Sequence, residues 1–97
     1  MDRLNAMALL VKVTELGSMS AAARALNMPL TTVSRHIGEL ESALGVRLLA
    51  RTTRKLTLTD AGGDYVAAAR RILEEVENAE RQATGEYQEP KGELVIS

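Results

Sequence analysis

Arg35, with the hydroxyls of Thr31, Thr32 and Ser34 beside it, is where this chain could do chemistry, and that chemistry is hydrogen bonding to an outside surface. On a 3.6-residue helix over 31–44, Val33, Ile37, Leu40 and Leu44 recur at steps of four, three and four, forming one apolar stripe that must be buried. Thr31, Arg35, Gly38 and Ser42 fall on the opposite side, with Thr32 and Ser34 on its flanks. A merely solvated helix face carries mixed long charges; this one offers hydroxyls and a single guanidinium with little bulk around them. An arginine so placed can donate two hydrogen bonds to guanine O6 and N7 in a DNA major groove, phosphate contact being its competing role. A second cationic group, Arg51, Arg54 and Lys55 with Thr52 among them, lies further along. Bond-breaking chemistry finds no support. His36 is the only histidine, sits at the edge of the apolar stripe, and has no acid on the adjacent turn at Thr32 or Leu40, Glu39 being only its exposed sequence neighbour. No phosphate loop, metal cluster or nucleophile–base pair accompanies it, so the chain is not expected to be an enzyme or to hold a metal.

The elements that must position these side chains follow from local signals. Residues 20–27 read as a short helix and 28–30 as a turn, so that two helices joined by a few residues make a helix-turn-helix, whose second helix enters the major groove. Ala22 and Ala23 allow the two backbones to approach closely, and Asn27 tolerates the left-handed conformation of a helix end. Ser18 and Ser20 are both N-cap candidates; their positive helix end, with Arg24 nearby, could also hold a DNA phosphate, plain capping being the alternative. Upstream, Asp2 caps a first helix that runs to Leu16 and stops at Gly17, its broad face of Leu4, Met7, Leu10, Val11 and Val13 wide enough to meet more than one neighbour. Downstream, Leu49, Ala50 and Arg51 pair with Leu56, Thr57 and Leu58 as a short hairpin with a basic tip. Attached to a helix-turn-helix, such a hairpin is a wing that reaches the DNA backbone or minor groove.

Thr59 is the expected cap of a long helix, with Asp60 and Asp64 near its positive end. Tyr65, Ala69, Ile72, Val76, Ala79 and Ala83 form a heptad seam on it. At roughly 25 residues that helix reaches about 38 Å, more than the preceding domain needs, so the seam is expected to pair with a copy of itself. Gly85, Pro90 and Gly92 end it, and residues 93–97 read as a first strand whose sheet lies elsewhere.

Composition narrows the class. The chain has 97 residues, 45% of them hydrophobic, yet no Phe, Trp or Cys, which implies thin aliphatic helices and excludes disulfides and thiolate metal sites. The absence of a signal peptide and of an apolar run of about 18 residues points to a cytoplasmic protein without membrane contact. The formal net charge is -1, but it is unevenly spread. Over 31–58, Arg35, Arg47, Arg51, Arg54 and Lys55 face only Glu39 and Glu41, whereas over 59–89 acids outnumber arginines. One end suits phosphate and the other would be repelled by it.

The start MDRLNAM, the stretches GSMSAAARALN and TTVSRHIGELESALGVRLLART, the segment RKLTLTDAG and the long helix after it resemble, in order and spacing, the N-terminal half of a LysR-type transcriptional regulator. The resemblance implies a mainly α fold: a winged helix-turn-helix of three helices and a two-stranded wing over 1–58, a dimerising linker helix over 59–89, and a hinge at 90–97 leading into an effector-binding domain. It implies double-stranded DNA and a second copy of the chain as partners, with a tetramer as a further option for the full-length protein. No cofactor is expected within these residues, and a small-molecule effector is implied for the further domain. Family members commonly carry Ser-Gln-Pro where this chain has Pro29, Leu30 and Thr31, so the hydrogen-bonding Gln is replaced by Leu30, which could meet a thymine methyl or pack inward. Thr31, Ser34 and Arg35 keep groove-facing family positions, and Arg51 and Arg54 match the wing. The competing reading is a dimerisation module without DNA contact; it accounts for the heptad helix but leaves the basic tip and the polar face without a purpose.

Overall fold

The computed structural model describes residues 2–51 and 56–85, without the side chain of Arg51. Four helices and one hairpin follow in the order α1 (Arg3–Leu16), α2 (Met19–Leu26), α3 (Leu30–Leu44), β1 (Leu49–Arg51), β2 (Leu56–Leu58) and α4 (Asp60–Thr84). The local signals account for most boundaries. Asp2 accepts a hydrogen bond from the Asn5 backbone N–H at 2.8 Å, and Gly17, at φ 74°, closes α1 in the left-handed conformation. Asn27 closes α2 in the same conformation at φ 57°, the one non-glycine residue with positive φ among those described.

Two starts differ from the sequence expectation. Ser18, not Ser20, takes the cap of α2, accepting from the Ala21 N–H at 3.1 Å, so Ser20 becomes the second helical residue and stays exposed. Leu30 belongs to α3 rather than to a turn. Pro29 stands at the N-cap with no side-chain hydrogen bond, its carbonyl accepting from Thr32 and Val33, and its fixed φ leads the chain straight into the helix.

The core lies where α1 meets the other three helices. Leu9, Leu10 and Val13 of α1, Ala22 of α2, and Val33 and Ile37 of α3 are all essentially excluded from solvent, and each large one contributes about 1.5–3 kcal/mol of burial. The small side chains of Ala22 and Ala23 sit between α2 and its neighbours as expected. The hairpin is antiparallel with Leu49 opposite Leu58, Ala50 opposite Thr57 and Arg51 opposite Leu56. Leu48 and Leu49 anchor it in the core, while Thr57 is exposed.

Glu41 fixes the join between α3 and the hairpin. Its Oε2 accepts from the backbone N–H of Leu48 at 2.8 Å and of Leu49 at 3.0 Å, satisfying two donors of an enclosed segment. Arg47 Nε stands 3.9 Å from the same oxygen. On the far side, Thr59 donates through Oγ1 to the Arg47 carbonyl at 2.6 Å and accepts from the Gly62 N–H at 2.9 Å, capping α4 as it binds the strand entry. Hydrogen bonds to an ionised acceptor are about twice as strong as neutral ones. Glu41→Gln is therefore expected to lower unfolding stability by about 1 kcal/mol, read from the denaturant midpoint; an unchanged midpoint would remove this role.

Candidate nucleic-acid interface

The side chains singled out on α3 divide as the helix period requires. Val33, Ile37 and Leu40 are no more than 3% exposed, whereas Thr31, Arg35 and Ser42 are exposed and Thr32, Ser34 and Gly38 half-buried. Because the apolar stripe is locked against α1 and α2, rotation of α3 about its own axis is blocked, and the polar face has one fixed outward direction. No residue of that face is drawn into the core. Gly38 in particular faces open space, with nothing within 4 Å of where a Cβ would stand.

Beside that face, Ser20 and Arg24 of α2 and Pro29 and Leu30 at the start of α3 line one shallow groove, floored by Ala23 and Met28. Three positions separated in sequence, Ser20, Arg24 and Leu30, are thus brought together at one end of the recognition face. Leu30 is 47% exposed, so of its two expected fates inward packing is excluded. Thr52, Arg54, Lys55 and the Arg51 side chain lie outside the described residues; the Arg51 backbone is the last of β1.

His36 corrects a sequence expectation. Glu39 is not merely its exposed neighbour: Nδ1 of His36 lies 3.3 Å from Glu39 Oε1, since residues three apart on a helix share a face. Glu39 stands one turn beyond Arg35 and is exposed like it, so the pair borders the polar face of α3 with the imidazole on the side nearer the core.

On α4 the sequence seam divides in two. The buried side is Gly62, Val66 and Ala69, with Gly62 seated against Leu48 and Leu58, a stripe that the heptad reading crosses only at Ala69. Ala69 is fully buried within the single chain, and Tyr65 packs against the core with its hydroxyl enclosed and without a partner among the described residues. These two seam positions are used up internally, because α1 is broad enough to serve α4 as well as α2 and α3. Arg70 Nη1, paired with Glu15 Oε2 at 3.1 Å, closes the edge of that contact. Beyond it, Ile72 is 40% exposed, Val76 half-buried, and Ala79 and Ala83 exposed. Ile72, Val76 and Ala79 form the apolar floor of a shallow groove edged by Arg71, Glu74 and Glu75.

Comparison with known proteins agrees with this architecture. The lysR family of bacterial regulatory helix-turn-helix proteins matches residues 4–63. An HTH-type transcriptional regulator of Xanthomonas campestris pv. campestris is 51% identical over 92 residues, covering 94% of this chain and 26% of the relative. The HTH-type transcriptional activator AaeR of Escherichia coli is 42% identical over 96 residues, 99% of this chain and 31% of that protein. The chain therefore spans between a quarter and a third of the length of these relatives. Among solved structures, the crystal structure of the CbnR DBD–DNA complex superposes with a TM-score of 0.81 at 32% identity, over 90% of this chain and all of that one. With the helix-turn-helix, the hairpin and the long helix in the same order, and the match running from α1 into the start of α4, the chain belongs to the LysR family of bacterial helix-turn-helix regulators.

Proposed function

We propose that the chain is the DNA-binding part of a transcriptional regulator, reading double-stranded DNA as a homodimer with α3 in the major groove and the hairpin wing at the adjacent minor groove. The outward polar face of α3, held in place by Val33, Ile37 and Leu40, each no more than 3% exposed, is the observation that carries this reading. It is a binding and not a catalytic function, exercised in the cytoplasm. Thr31, Thr32, Ser34 and Arg35 meet base edges or the nearest phosphates, and Ser20 and Arg24 a phosphate flanking them. Arg51, Thr52 and Lys55 add backbone contacts, while Arg54 enters the narrow, more negative minor groove of A·T-rich flanks. Dimerisation runs through Ile72, Val76, Ala79 and Ala83, and no cofactor acts within these residues. Response to a small molecule belongs to a further domain, as does any tetramer.

Arg35 supplies the test. A bidentate contact to guanine is worth about 1–3 kcal/mol of discrimination. Arg35→Ala is expected to weaken binding to a duplex selected from a random pool by roughly 10- to 100-fold while leaving a scrambled duplex almost unaffected. Equal losses on both would make Arg35 a phosphate contact. A wild-type chain that retained no duplex at low salt, where released counterions favour binding most, would leave only the dimerisation reading.

A further inference from the structure

Leu30 is the most exposed large apolar side chain among the described residues, at 47%, and it is the first residue of α3. Exposed leucines are common, and exposure alone assigns nothing. Its position does. It lines the same groove as Arg24 and Ser20, and Thr31 and Arg35 continue from it along the exposed side of the helix. The N-terminal residues of a recognition helix are those that approach base edges. A leucine there can neither donate nor accept a hydrogen bond, and pressing it onto the polar edge of guanine, cytosine or adenine would strip water from groups left unpaired. The one apolar group that a base pair offers in the major groove is the C5 methyl of thymine. Pro29 and Met28 beside Leu30 extend the apolar surface, and the cation of Arg24 at the rim suits the phosphates on either side.

We infer that Leu30 reads a thymine methyl, giving the chain a thymine preference at one position of each half-site; the inference rests on the DNA-binding function proposed above. Deoxyuridine removes that methyl and nothing else, so it isolates the contact. Duplexes selected from a random pool by the wild-type chain are resynthesised with each thymine replaced in turn by deoxyuridine, and bound to wild type, Leu30→Ala and Leu30→Ile. One replacement per half-site is expected to weaken wild type about fourfold, the worth of one buried methyl group. In Leu30→Ala that difference vanishes at the same position while any at other thymines remain, and in Leu30→Ile it persists. Because the side chain is largely outside the core, both variants are expected to melt with wild type. Thymine-to-uracil ratios that are the same in Leu30→Ala as in wild type would overturn this inference alone, including in favour of a protein partner for the apolar surface. If wild type selects no duplex, the parent reading falls and this one with it.

Discussion

Gly62→Ala is expected to cost on the order of 3 kcal/mol or more, lowering the melting temperature by roughly 10–20 °C. The added Cβ would stand 2.0 Å from the Leu48 carbonyl oxygen, 2.9 Å from its carbon and 3.1 Å from Leu58 Cδ2. A flexible side chain could swing away from such a clash; a backbone carbonyl cannot do so cheaply. Here it is held from both sides, since the Leu48 N–H is bound to Glu41 and its carbonyl accepts from the Thr59 N–H at 3.0 Å. Relief requires lifting the start of α4 off the entry to β1, which also breaks the Thr59 cap. The control is the next residue. Gly63 has nothing within 4 Å of a built Cβ, so Gly63→Ala should gain about 0.5–1 kcal/mol from reduced backbone freedom in the unfolded chain. Thermal melts of the two variants beside wild type, opposite in sign, check the argument. A Gly62→Ala protein as stable as wild type would show that α4 is not seated against Leu48 in this way.

That seat marks the limit of what the sequence makes legible. Caps and apolar periods are local signals, so the bounds of α1, the left-handed Asn27, the pairing of Leu49–Arg51 with Leu56–Leu58 and the Thr59 cap can all be read from neighbouring residues. The direction of the Arg35 face is readable for the same reason: once Val33, Ile37 and Leu40 are inward, the opposite side has no choice. Leu30 escapes because the start of α3 lacks the Ser, Thr, Asp or Asn cap that announces a helix. Glu41 counts in a sequence only as one more charge on α3, yet its partners are backbone N–H groups seven and eight residues away, which leave no trace in side-chain identity. Gly62 is silent for a similar reason, because what forbids its Cβ is a carbonyl brought there by the fold. On α4 an apolar period reveals that a face is buried but not by what. The stripe Gly62, Val66, Ala69 and the seam from Ile72 onward overlap, and only the position of α1 separates them.

Ile72→Glu is expected to leave the chain monomeric at concentrations where wild type is a dimer. Ile72 is 40% exposed in the single chain, and with Val76 and Ala79 it forms an apolar floor beyond the reach of α1. A two-fold interface would use the same patch on both copies, so one substitution acts twice. Each copy forfeits about 1 kcal/mol of isoleucine burial and takes a carboxylate out of water without a partner, for about 1–3 kcal/mol more. The seam can spare little, since the other members left free by the core are Val76 and two alanines, which bury small areas. Over the two copies the losses start at about 4 kcal/mol, or roughly a thousand-fold or more in the dissociation constant. Sedimentation equilibrium across a concentration series reads that shift directly. Far-UV circular dichroism should be unchanged, because Ile72 lies outside the core cluster and α4 stays docked through Val66 and Ala69. Neutralising the new glutamate at low pH should restore part of the association, which a folding defect would not do. A dimer that survives Ile72→Glu at wild-type strength would move the interface off this half of α4.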